Sequence, residues 1–343
     1  TIYRLARKAK LVEYLCAAAE NGKDVTVFIE LRARFDEQNN IDWSERLEDA
    51  GCNVFYGFES YKIHSKICLI TRRERGEIRY ITQVGTGNYN EKTAEQYTDV
   101  SLLTANRDIG QDAVEFFKNM SIGELDGEYR HLLVSPYSLK REVLRLMDGE
   151  IAKGSAGRMR FKINSLTDMD IIERLRKASR AGVRIDMVVR GICCILPGIP
   201  GETENIHIVS IVGRFLEHSR IYCFGEGEDE RMYISSADFM TRNTQRRVET
   251  ACPIYDSAVR AKLNGIMDLC LMDNVKAREL HADGSYSPVH GGEERFDAQQ
   301  LQMDRAIDAA AEPEPAPERE GVIGRLLRRF RNWKRKRNPL APQ

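Results

Sequence analysis

The strongest constraint on this 343-residue chain is that one order of parts occurs in it twice. Residues 61–70 form an apolar run carrying His64 and Lys66, and residues 217–224 carry His218 and Arg220 at the head of a second such run. Upstream of each, apolar residues at helical spacing (11–19 and 171–181) end at a glycine, and a short apolar stretch follows that reads as a strand (25–30 and 183–189). Downstream of each come a polar turn, a second strand (78–84 and 232–236) and a loop of small residues (85–90 and 235–238). The register persists beyond the histidines, since Asn88 precedes Asp99 and Asp238 precedes Glu249 by the same interval of eleven. A chain of this kind is predicted to fold as a duplicated α/β unit. Each copy offers a histidine, a cation two residues on, a small-residue loop and a later acid.

On a continuous strand, alternation places His64 and Lys66 on one face, and likewise His218 and Arg220. A lone His-x-Lys is most often the wet face of a half-buried strand, and the second copy sets this one apart. Neutral imidazole attacks phosphorus, and a neighbouring cation compensates the phosphoryl oxygens. Two imidazoles facing one cleft divide the labour: one attacks, and the other protonates the leaving oxygen. Within each copy the acid is expected to hold its own histidine, Asp99 the far nitrogen of His64 and Glu249 that of His218. Lys66 and Arg220 are expected to bind oxygens, with Asn88 and Arg242 as further phosphate-binding candidates. Gly85 and Gly87, flanking Thr86, would let backbone amides approach an anion.

Composition narrows the class. Lys plus Arg equals Asp plus Glu at 52 each, so any field at a phosphate site must come from local clustering. The eight cysteines are scattered, several in apolar runs, without CxxC or Cys/His ligand spacing, and read as reduced core thiols of a cytoplasmic protein. No apolar run approaches the roughly 18 residues of a membrane span. The chain opens on Thr1 directly into structured sequence, which reads as a fragment of something longer.

Long motifs then resemble the catalytic C-terminal half of the polyphosphate kinase family, the type built on a phospholipase D-like fold. They are TIYR at 1–4, FIELRARFDE at 28–37, KIHSK at 62–66, GTGNYNEKTA at 85–94, YTDVSLLT at 97–104, VVRGIC at 188–193, LEHSR at 216–220 and SSADFMTRN at 235–243. The resemblance runs to about Tyr286. It implies reversible transfer of the terminal phosphate of ATP to inorganic polyphosphate through a phosphohistidine at His64, with His218 as acid. It implies nucleotide contacts at Tyr97, Arg190 and His218, and a Mg²⁺–phosphate site at Arg4 and Arg34. An arginine cannot ligate a cation, so those two are read as holding phosphate oxygens beside the metal. The HxKxxxxD pattern of the wider phospholipase D group wants an acid where this chain has Thr71 and Gly225, which argues against the rival reading of a phosphodiesterase. A non-catalytic polyphosphate or nucleic-acid binder is the other rival.

The expected architecture is α/β, with tandem phospholipase D-like domains at 1–125 and 126–286, each a mixed sheet flanked by helices. Residues 287–343 are expected to form a disordered linker, Pro- and Glu-rich at 311–318, and a basic amphipathic segment at 321–337 suited to an anionic surface at the membrane periphery. A homo-oligomer is expected of the longer protein.

Overall fold

The computed structural model describes residues 1–33, 36–291 and 294–311. Arg34 and the segments at 312–318 and 321–337 therefore lie outside the described residues. The first half runs α1 (Lys10–Glu20), β1 (Thr26–Ile29), α2 (Glu37–Asp49), β2 (Asn53–Tyr56), β3 (Lys62–Ile63), β4 (Ile67–Glu74), β5 (Glu77–Gly85), α3 (Glu91–Ala94), β6 (Tyr97–Thr98), β7 (Ser101–Thr104) and α4 (Arg107–Ile122). The second runs β8 (Leu133–Ser135), α5 (Ser138–Ala152), β9 (Arg158–Ile163), α6 (Met169–Arg180), β10 (Arg184–Val189), β11 (Ile206–Ile211), β12 (Leu216–Glu217), β13 (Ile221–Phe224), β14 (Arg231–Ser235), α7 (Thr241–Gln245), β15 (Arg247–Pro253), α8 (Ser257–Met272), β16 (Ala277–Leu280), β17 (Tyr286–Pro288) and α9 (Ala298–Ala311). Residues 1–298 form one compact unit, and α9 beyond its first residue belongs to a second.

The duplication is visible strand by strand. Parallel β1–β2 corresponds to parallel β10–β11, and hairpin β4–β5 to hairpin β13–β14. In the second half β9 lies between β10 and β13. In the first half Thr1 and Ile2 occupy that place: Ile2 bridges Ile29, and the Thr1 amino group donates to Ile67 O at 2.9 Å. The halves are also tied together by exchange, because β3 pairs in parallel with β15, and β12 pairs in parallel with β6.

Strand alternation explains the layers. Tyr222 and Phe224 of β13 point to a core with α5 and α6, while Ile221 and Cys223 point the other way. That second core draws on both halves, joining Phe28, Ile63, Val84 and Phe116 to Ile234, Val248 and Met267. A third core packs α1 and α2 against β1.

Three local expectations need correction. The 61–70 run is two strands separated by His64–Lys66, not one. The β4–β5 hairpin turns in two residues, Arg75 (φ 51°) and Gly76 (φ 86°), so the ladder extends through the polar residues 71–74 that read as turn; consecutive positive φ values match the twist of a tight hairpin. Residues 43–50 read in the sequence as a short helix, but α2 begins six residues earlier, at Glu37. Its first turns are fixed by polar side chains: Asn40 Nδ2 donates to Tyr3 O and Glu30 O, both at 2.9 Å, and Trp43 Nε1 to Ala6 O at 3.0 Å.

Candidate active site

Each histidine sits where its strand leaves one ladder for another. The amides of His64 and Ser65 both donate to Val248 O, at 2.9 and 2.8 Å, before the chain crosses into β4. The amides of His218 and Ser219 repeat this on Thr98 O, at 3.2 and 2.8 Å, before β13. The His-x-cation relation is therefore the product of a bulge, with two residues opposing one, rather than of simple alternation.

The acids pair across the halves, the reverse of the expectation within each copy. His64 Nδ1 lies 2.9 Å from Glu249 Oε2, and His218 Nδ1 lies 2.8 Å from Asp99 Oδ1. The exchanged strands dictate this. Lys62 and Ile63 lie beside Arg247 and Val248, so the next acid along β15 meets His64; β12 and β6 do the same for Asp99 and His218. A carboxylate on Nδ1 favours the tautomer with its proton there and leaves a lone pair on Nε2.

The small-residue loops orient these acids. Thr86 Oγ1 donates to Asp99 Oδ1 at 2.6 Å, and Ser236, in the matching position, donates to Glu249 Oε2 at 2.5 Å. Asn243 Nδ2 adds a bond to Glu249 Oε1 at 2.6 Å. The space beside Gly87 is taken by the Asp99 carboxylate, into which a Cβ would collide, so this glycine serves the acid rather than an anion.

Arg220 is fixed by a fork onto Asp238 (3.2 and 3.1 Å) and by Thr86 O at 3.1 Å, with Nη1 3.3 and 3.2 Å from the two nitrogens of His218. Lys66, 1% exposed, turns its ammonium back onto the carbonyl of His64. Aromatic rings flank both imidazoles: Tyr3 meets His64 edge-on at 4.7 Å, and Tyr97 tilts against His218 at 4.9 Å.

Burial, then Lys66 and Arg247, hold the His64 pKa well below that of free imidazole. Burial and Arg220 lower His218 to about 4 against the opposing pull of Asp99. Arg220 and His218 are themselves among the charges acting on His64, so both histidines share one electrostatic field. Lys66 is lowered by burial to about 7, while burial raises Glu249 above the ordinary carboxyl range.

The other sequence candidates fall at different distances from this centre. Arg190, just past β10, donates from Nε to Glu217 O at 2.8 Å and to Asn164 Oδ1 at 3.1 Å. Asn164 Nδ2 in turn reaches His218 O at 3.4 Å. Arg4 pairs with Asp36 at 3.2 Å and stacks on Tyr3, its Cζ 5.6 Å from the ring centre. Asn88 carries a buried Oδ1 without a hydrogen bond among the described residues. It lines a 480 Å³ cavity with Gly87, Tyr97 and Asp99. Arg242 is exposed on α7, and it is its neighbour Asn243 that reaches Glu249. The described residues contain no group of three His, Cys, Asp or Glu able to hold a metal, and Arg4 cannot ligate one. Also among them, no helix is long and apolar enough to cross a membrane.

Paired α/β units, each presenting a histidine and a cation from a bulged strand and each lending the other its acid, define a duplicated α/β protein with two acid-held histidines. The chain belongs to the polyphosphate kinase family: residues 1–125 match the model for polyphosphate kinase C-terminal domain 1, and residues 132–299 that for C-terminal domain 2. It is 44% identical over 336 residues to the polyphosphate kinase of Staphylococcus haemolyticus, covering 97% of this chain and 47% of that one. With the Bacillus anthracis polyphosphate kinase it shares 46% over 303 residues, 87% of this chain and 43% of that one. The crystal structure of polyphosphate kinase from Porphyromonas gingivalis superimposes with a TM-score of 0.81 at 38% identity, covering 90% of this chain and 48% of that one. The chain thus spans less than half the length of these relatives.

Proposed function

We propose that this chain is the catalytic half of an enzyme that moves the terminal phosphate of ATP onto inorganic polyphosphate, reversibly, through a phosphohistidine at His64. The observation that carries this is the crossed pairing: each imidazole is held at Nδ1 by an acid from the other half, at 2.9 and 2.8 Å. Nε2 of His64 attacks the γ-phosphorus, the N–P bond forms as the bridging P–O bond breaks, and the electron pair leaves on ADP. Glu249 meets the positive charge that develops on the ring. In the second step the terminal oxygen of polyphosphate attacks the same phosphorus and the N–P bond breaks. With a pKa of about 4, His218 is neutral at pH 7 without substrate. Bound phosphates oppose the Arg220 charge and raise His218 toward the protonated form that an acid needs. Tyr97 and Arg190 take the nucleotide. Arg4 and Arg34 would hold phosphate oxygens, and a Mg²⁺ bound with the nucleotide would supply charge neutralisation there. Domains at 1–125 and 126–286, a cytoplasmic setting and a homo-oligomer of the longer protein complete this reading.

The test is to incubate the full-length protein with γ-labelled ATP. An acid-labile, alkali-stable label is expected, and His64→Ala should abolish both label and polymer; label surviving in that variant places the nucleophile elsewhere.

A further inference from the structure

Among the described residues, one cation beside His64 makes no hydrogen bond. Arg247 opens β15, and strand alternation puts it on the same face as Glu249. The matching position in the other half, two before Asp99, is Tyr97, whose ring rests on His218. The Arg247 guanidinium comes no nearer Glu249 than 4.0 Å, and its side chain keeps 18% of its surface exposed. Its backbone is held firmly, since Arg247 O accepts the Ser135 hydroxyl at 2.9 Å and β15 pairs with β3 at this residue.

The other cations are committed. Arg220 is forked onto Asp238, and the Lys66 ammonium is taken up by a backbone carbonyl and titrates at about 7, so it is only partly charged at neutral pH. Arg247 is a permanent charge whose field already reaches the His64 ring.

We propose that Arg247 is the residue that binds the phosphoryl oxygens at His64, for the terminal phosphoryl group of a phosphoanhydride. This rests on the phosphohistidine reading above. The non-bridging oxygens keep their charge while the Nε2–P bond forms and the bridging P–O bond breaks, so one fork serves the group before, during and after transfer. A guanidinium engages two of those oxygens in parallel, which a point charge cannot.

The experiment measures single-turnover labelling of His64 by γ-labelled ATP in the full-length protein, as wild type, Arg247→Lys, Arg247→Gln and Arg247→Ala. Arg247→Gln should label about 10²- to 10³-fold more slowly, the usual cost of one charge-stabilising donor. Arg247→Lys should fall between, and added methylguanidinium should partly restore Arg247→Ala, which a purely structural role for the side chain would not allow. Wild-type labelling rates in Arg247→Gln, or slow labelling in Arg247→Ala that methylguanidinium leaves unchanged, would overturn the inference while leaving the phosphohistidine standing. An unlabelled wild type would remove both.

Discussion

At the residue scale the crossed pairing makes predictions that pairing within each copy does not. Glu249→Gln fills the same space but presents an amide N–H to His64 Nδ1, favouring the wrong tautomer and leaving no charge for an imidazolium. Phosphorylation of His64 should fall by about three to four powers of ten, the scale of an acid-to-amide change in a triad. Asp99→Asn should act instead through His218. Double mutants check the assignment: His64→Ala with Glu249→Gln should cost hardly more than His64→Ala alone, and His218→Ala should mask Asp99→Asn in the same way. Masking of Asp99→Asn by His64→Ala would restore the pairing within copies. His218 also carries a pH signature. Its folded pKa of about 4 lies below the 6.5 of free imidazole, so the folded protein binds fewer protons between those values. That contribution is fully present above pH 6.5 and is lost as pH falls toward 4, amounting to about 3 kcal/mol. Denaturant midpoints at pH 7 and pH 4.5 should therefore converge on acidification between wild type and His218→Gln; an unchanged gap would show that His218 titrates normally.

At the element scale, the strand exchange beneath His218 is pinned by a buried charge pair. Lys162 on β9 reaches Glu217 Oε2 at 2.9 Å and Ser219 Oγ at 2.8 Å, and Thr98 on β6 donates to the same carboxylate oxygen at 2.9 Å. Lys162→Met leaves the carboxylate uncompensated and should destabilise by about 3–5 kcal/mol, while adding Glu217→Gln should recover much of the loss. Thermal unfolding of the two variants decides this, and equal melting temperatures would mean that the pair contributes little. Elements of this kind also mark what was legible beforehand. The helices, the hairpins and the duplicated order follow from periodicity and turn residues, which are local. The exchange does not, because β3 and β12 are only two residues long and their partners lie more than a hundred residues away. Arg247 was within reach, since counting back by two from Glu249 along a strand finds it, whereas basicity alone points to the exposed Arg242. Asn243 and Asn164 gave no signal, being polar residues whose worth lies in what they touch.

At the scale of the whole molecule, duplication has produced one body out of two units. Residues 1–298 are one compact unit, and its central core is built from both halves. If the halves are separated, the first loses Ile221, Ile234 and Val248 from against Ile63, Ile67 and Phe116, and β3 loses its only ladder partner among the described residues. Each such side chain returned to water costs about 1.5–3 kcal/mol, so a handful exceeds the 5–15 kcal/mol by which a domain is typically stable. Residues 1–125 or 126–298 expressed alone should therefore give no cooperative unfolding transition and should expose apolar surface to a hydrophobic dye. Mixing the two should restore a single transition, because the two apolar surfaces can pack together again without a covalent link. The site follows the same logic: neither half alone brings a histidine together with its acid, so phosphohistidine formation should appear only in the mixture. Cooperative folding of either half alone, observed by calorimetry, would show that the shared core is an interface between autonomous domains and that the crossed acids are docked rather than built in.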